Sequence, residues 1–172
     1  MKTLVIHPKD PTTDFLKVVY QDQDWTVIDN PLASNSLLRK NIINHDSVII
    51  MGHGSQDGLF AGVFRLMIDS SFVQFLRQKT HNMFIWCNAD QFVQKYDLQG
   101  HYTGMIISDP QEADYFDVPY TLDTLAQSND QFAQIVKYAA LNRTVDSVDR
   151  MKDMYDLGSA VCYYNRTRIY YQ

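Results

Sequence analysis

Short apolar runs alternate along the chain with stretches in which apolar residues recur every three or four positions. Runs at residues 3–6, 25–29, 47–51, 83–86 and 105–107 predict five strands. Those at 47–51 and 83–86 are apolar throughout rather than alternating, which predicts strands covered on both faces, as in a parallel sheet. Between them the helical period appears. Phe15, Val18 and Val19 fit a brief helix over 14–20, and Leu38 and Ile42 a helix capped by Ser34 or Ser36 and running to Ile43. Phe72, Phe75 and Leu76 sit at the i, i+3, i+4 spacing in a helix opened by Asp69 or Ser70, and a short helix follows over 90–96. Phe132, Ile135, Val136, Ala139 and Ala140 form another stripe, with a further piece from Thr144 to Leu157 stopped by Gly158. Residues 109–119 read as an acidic, proline-bounded loop, and 160–171 as a last strand rich in Tyr and Thr.

Strand and helix alternate at least five times, which predicts an α/β three-layer sandwich: a mostly parallel central sheet with helices on both faces. No internal repeat, low-complexity tract or linker interrupts the 172 residues, so residues 1–172 are expected to form a single domain. The net charge of −5 comes without a basic stripe, which argues against nucleic acid as a partner. No apolar run approaches the ~20 residues needed to span a bilayer. Two cysteines, Cys87 and Cys162, are too few for a disulfide framework, and residues 1–3 run straight into the first strand without a leader pattern. These features place the expected site of action in the cytoplasm and make the Asn-x-Thr sequences at Asn142 and Asn165 chance matches.

Four of the seven glycines fall between Gly52 and Gly62, directly after the strand at 47–51. Glycine serves where backbone turns with positive φ or where another group approaches closely. In open parallel sheets, ligands bind outside the carboxyl ends of the strands. His53 lies inside this turn, and Cys87 holds the matching position after the strand at 83–86. If those strands are neighbours, their ends lie about 4.8 Å apart. A thiol needs a nearby base to become a nucleophile near neutral pH, and a histidine supplies one. The N–H groups of Gly54 and Cys87 could then hold a developing oxyanion.

The two blocks Val48-Ile-Ile-Met-Gly-His53-Gly54 and Met83-Phe-Ile-Trp-Cys87 resemble the caspase-like cysteine peptidases, a group that includes caspases, gingipains, clostripain, legumain, separase and CHAT domains. The resemblance implies a caspase-like fold, a His53–Cys87 catalytic dyad, a peptide or protein substrate, and no cofactor. It also implies that the loops after the first and fifth strands line a specificity pocket. Here those loops carry His7, Lys9 and Asp10, then Ser108, Asp109 and Glu112. An acidic pocket favours a basic residue before the cut bond, and Asp109 is the expected anchor, with Asp10 and Ser108 as neighbours. Trp86 stands before the cysteine, where the family often has Ala, Ser or Asp.

Cys162 reads as a small core residue. His7, His45, His81 and His101 have no partner at metal-ligand spacing, and no Cys-x-x-Cys or His-x-x-x-His pair exists, so no metal is expected. The glycines lack the Lys-Ser/Thr of a phosphate loop and the third glycine of a dinucleotide fingerprint. Three functions stay open on these residues. They are a cysteine endopeptidase, a catalytically inactive or regulatory caspase-like module that binds a peptide or regulatory protein partner, and a flavodoxin-like binder of a small ligand.

Overall fold

The computed structural model describes residues 1–62, 65–144 and 146–172. The chain opens with β1 (Thr3–Ile6), a 3-10 helix (Pro11–Val19), β2 (Thr26–Ile28), α1 (Asn35–Asn44) and β3 (Ser47–Met51). Three short strands follow, β4 (Gly54–Ser55), β5 (Gly58–Ala61) and β6 (Arg65–Ile68), and then a 3-10 turn (Ser70–Phe72) that continues as α2 (Val73–Leu76). The second half contains β7 (Asn82–Ile85), α3 (Ala89–Tyr96), β8 (Gly100–Thr103), α4 (Pro110–Tyr115), α5 (Leu122–Asn142), α6 (Ser147–Asp153), α7 (Ala160–Arg166) and β9 (Ile169–Tyr171).

Six strands form one sheet in the order β2-β1-β3-β7-β8-β9. All its neighbours are parallel except β9, which runs antiparallel to β8. Successive strand residues face opposite layers. Leu4, Ile6, Val48, Ile50, Phe84 and Trp86 pack against α1, α2 and α3. Val5, Ile49, Met51, Met83 and Ile85 pack against the first 3-10 helix and α5, with Met151 and Cys162 behind them. Helices therefore cover both faces of a mostly parallel sheet, and this double burial explains the unbroken apolar runs of β3 and β7. Phe84 is fully buried, and its truncation to Ala should cost about 3–5 kcal/mol. No helix among the described residues is long and apolar enough to cross a membrane.

Several predicted elements shift. The fifth strand is β8, not residues 105–107. Ile107 has both its N–H and its C=O bonded to the Asn165 side chain, at 2.8 Å each. Its backbone is thus satisfied without a ladder, and the apolar run 105–107 becomes a wall beyond the end of the sheet. The acidic loop contains α4, because Asp109 caps it by accepting from the Glu112 N–H at 2.9 Å and Pro110 takes the first helical position. The Tyr-rich tail is mostly helix. Ser159 caps α7, and Val161, Cys162 and Asn165 share its buried face, leaving only β9 as strand. The buried side chain of Asn165 is a structural clamp, which rules it out as a glycan acceptor. Asp146 rather than Thr144 stands at the start of α6, which ends at Asp153. Val145, within that expected piece, lies outside the described residues. The small antiparallel sheet β4-β5-β6 has no counterpart among the predicted elements.

Candidate functional site

The site is built where β3 and β7 end. The two strands are direct neighbours in the register Ile49↔Met83, Ile50↔Phe84, Met51↔Ile85. The register ends there, and His53 and Cys87 each follow two residues beyond its last pair. Gly52 still donates its N–H to the Ile85 carbonyl at 3.1 Å. Its φ of +139° then turns the chain out of the sheet, a conformation that requires glycine. Cys87 lies in a tight turn closed by the Ala89 N–H on the Trp86 carbonyl at 3.2 Å. Asn88 follows in the left-handed region, with φ of 64°, an uncommon state for a non-glycine residue that concentrates at functional turns.

Trp86 points the other way. Its indole N–H donates to the Ser55 carbonyl at 3.0 Å, and its ring lies against Gly54. A side chain at residue 54 would collide with that ring and with the Gly58 carbonyl oxygen, which binds at least this glycine to packing. The bulky residue before the cysteine thus fastens the small sheet to the main one and leaves the thiol's side of the strand clear.

His53 and Cys87 line one narrow cavity of about 30 Å³ together with Thr13, Ile85, Thr103 and Phe132. They do not hydrogen-bond to each other. The Cys87 thiol is directed at the Ile106 carbonyl (3.6 Å) and at Glu112 Oε1 (3.9 Å). Burial, and after it the Glu112 carboxylate, push this thiol up to about 12. In the resting arrangement Cys87 is therefore protonated at neutral pH.

His53 Nε2 lies 2.6 Å from Thr12 Oγ1, which in turn lies 2.7 Å from Asp10 Oδ1. A carboxylate only accepts, so the single Thr12 hydroxyl proton goes to Asp10, and the Thr12 oxygen accepts from His53 Nε2–H. That fixes the neutral tautomer, with its lone pair on Nδ1. Asp10 Oδ2 is 3.9 Å from Nε2 and balances charge should the ring become protonated. The Asp10 carboxyl is held below its ordinary value by the hydrogen bonds from the Thr12 side chain and backbone. Asp10 thus caps the first 3-10 helix and supports the histidine, and it also lines a small pocket with Lys9, Gly52, His53 and Phe60.

The remaining pocket residues also take definite places. Ser108 lines the cavity and gives both its N–H (2.7 Å) and its hydroxyl (3.0 Å) to Glu112 Oε2. Asp109 stands farther out, in a second pocket shared by His53, Asn88, Glu112 and Tyr115. Burial raises the Glu112 carboxyl. The structure therefore brings Glu112 closer to the thiol's chemistry than Asp109, and it adds Thr12, which carries no apolar or motif signature. The Asp109–Glu112 spacing, an N-cap and its N3 residue, was the available signal for Glu112. Of the two expected oxyanion donors, Gly54 pairs with Leu59 in the small sheet and Cys87 lies in the turn after β7.

Three of the other histidines bond within the fold. His7 is buried between Tyr20 Oη (3.0 Å) and Thr13 Oγ1 (3.1 Å) and is lowered to about 4, chiefly by burial. His101 is buried against Ser147 Oγ at 2.5 Å and is likewise lowered to about 4, chiefly by burial. His45 bonds Asn41 O and Thr26 Oγ1. Among the described residues, no three His, Cys, Asp or Glu side chains gather into a group that could hold a metal ion. Comparison with protein-family models and with curated protein sequences gave no match.

Proposed function

We propose that the protein is a cysteine endopeptidase of the caspase-like type, with Cys87 as nucleophile and His53 as acid and base. The observation that carries this reading is the convergence of both residues on one crevice at the ends of adjacent parallel strands. In the reaction, the Cys87 sulfur attacks the peptide carbonyl carbon and its proton passes to His53. The C–N bond then breaks, and the leaving amine takes that proton. Water hydrolyses the resulting thioester, giving one proton to His53, which returns it to the sulfur. Thr12 and Asp10 act as positioning residues, holding Nε2–H so that Nδ1 can receive the proton. The cytoplasm is the compartment that keeps such a thiol reduced.

A second reading has an observation of its own. The thiol, pushed up to about 12 and bonded away from His53, suits a caspase-like module that binds a peptide or regulatory protein without cutting it. Incubation with a peptide library varied at the residue before the cut bond separates the two. The peptidase reading expects cleavage by the wild-type chain and none by Cys87→Ala. Peptide binding with no cleavage at any position would replace it with the binding module.

A further inference from the structure

Glu112 is left without a task by the mechanism above, yet it touches the nucleophile. Its Oε2 is occupied by the two Ser108 donors, while Oε1 faces the Cys87 sulfur at 3.9 Å. Among the described residues, no Lys, Arg or His forms an ion pair with Glu112 or with its neighbour Asp109. A half-buried carboxylate without a counter-charge is met by hydrogen bonds, by a proton or by a cation from outside; Ser108 supplies the first at Oε2, and Oε1 has only the weak thiol donor.

The place for that cation is open. The second pocket, of about 480 Å³, lies beside the crevice and is lined by His53, Asn88, Met105, Asp109, Glu112 and Tyr115. Met105 and Tyr115 offer apolar walls for a hydrocarbon stem, and Glu112 a carboxylate for its charged head. Occupancy has a consequence at the sulfur. The same Glu112 charge that would bind the cation opposes a thiolate, so pairing it with a guanidinium or ammonium relieves the thiol.

We propose that Glu112 is a specificity-determining residue that couples recognition of a basic substrate side chain to activation of Cys87. A lysine or arginine side chain enters the pocket and pairs with Glu112, and the Cys87 proton is released to His53. The enzyme is thereby idle until the correct residue is bound. The inference deepens the peptidase reading and shares its nucleophile, but it concerns thiol reactivity and can be measured without turnover.

The test is alkylation of Cys87 by iodoacetamide, followed by peptide mass mapping, in the full chain. In that reaction the S–C bond forms, iodide leaves and the thiol proton goes to buffer. Rates are compared with butylguanidinium, with its uncharged isostere butylurea, and with sodium chloride at matched ionic strength. Butylguanidinium should speed Cys87 labelling about tenfold or more, the equivalent of one pH unit of thiolate, whereas butylurea and salt should not. Glu112→Gln should label about as fast without the cation as the wild type does with it, and should lose the dependence. Glu112→Asp, which keeps the charge but withdraws it, should retain a weaker acceleration and decides the matter if Glu112→Gln fails to fold. An unchanged or slower wild-type rate with butylguanidinium would overturn the proposal, as would an undiminished response in Glu112→Gln. Cation-accelerated labelling in a chain that cleaves no peptide would sink the peptidase reading and leave the coupling standing. Cleavage with no preference for basic residues would do the reverse.

Discussion

Two sets of cysteine and histidine residues in this protein contrast with each other. Cys87 and His53 sit where parallel strands stop, half-buried, with the chain turning sharply beside each. Cys162, His7 and His101 sit inside the body, with at most 3 % of their surface exposed. The interior residues have their partners at hand: Cys162 lies among α5 and α7 residues with Gln131 Oε1 at 3.7 Å, and each buried histidine rests on a hydroxyl. The strand-end residues do not meet each other in the resting state. Packing accounts for the first set, whereas the second lines one cavity with each member bonded to a different polar neighbour, His53 to Thr12 and Cys87 to Ile106 and Glu112.

The largest test of that contrast exchanges the two cysteines' fates. On the peptidase reading, Cys87→Ala should lower kcat/KM on a cleavable peptide by about 10³-fold or more, with the melting temperature unchanged. Cys162→Ala should leave kcat/KM intact. A comparable loss from Cys162→Ala in a folded protein would erase the distinction.

Next in size is acid sensitivity. His7 and His101 are buried neutral and lowered from 6.5 to about 4 in the folded state. Between those values the unfolded chain binds more protons, so their contribution is full above 6.5 and is lost as pH falls towards 4. Each should cost about 2 kcal/mol of stability at about pH 5, measurable by urea unfolding at pH 7 and pH 5. Replacement of either by Gln should flatten the dependence.

A smaller effect is expected one contact away from the chemistry. On the peptidase reading, Thr12→Val, which removes the hydroxyl that holds His53 Nε2–H, should lower kcat about tenfold, roughly 1.4 kcal/mol, with little change in KM. Its pH profile should also shift, because Asp10 is no longer linked to the ring. Thr12→Ser should restore both. The smallest is Cys162→Ala itself, expected to cost about 1 kcal/mol in urea unfolding, a common size for trimming a buried side chain.

The layered sheet was legible because double burial writes itself as unbroken apolar runs, and β3 and β7 carry the clearest of these. His53 and Cys87 follow those runs directly, so their meeting in one cavity beyond the strand ends was legible too. What failed did so for local reasons. Residues 105–107 have the composition of a strand but are held by Asn165, a partner 58 positions away. Asp10-Pro11 and Asp109-Pro110 look like turn chemistry, yet each opens a helix as cap and first residue. Reading the second pair as a loop hid that Asp109 caps a helix whose third residue, Glu112, reaches the Cys87 thiol. Ser159 was a cap hidden in a run of β-favouring tyrosines. Gly54 was read for its N–H, and nothing in the sequence pointed to the Trp86 ring that fills the place of its side chain. Thr12 had no pattern to betray it, since its role depends on a histidine 41 positions later.

Whether His53 and Cys87 act as one unit can be asked directly with peptidyl chloromethyl ketones varied at the terminal residue. Attack by the Cys87 sulfur displaces chloride and leaves a thioether that intact mass and peptide mapping locate. The expected result is one adduct per chain, at Cys87 and not at Cys162, formed at least about tenfold more slowly in His53→Ala. Equal rates in the wild type and His53→Ala, or modification of Cys162 as fast as Cys87, would show that the two residues share a crevice and nothing more.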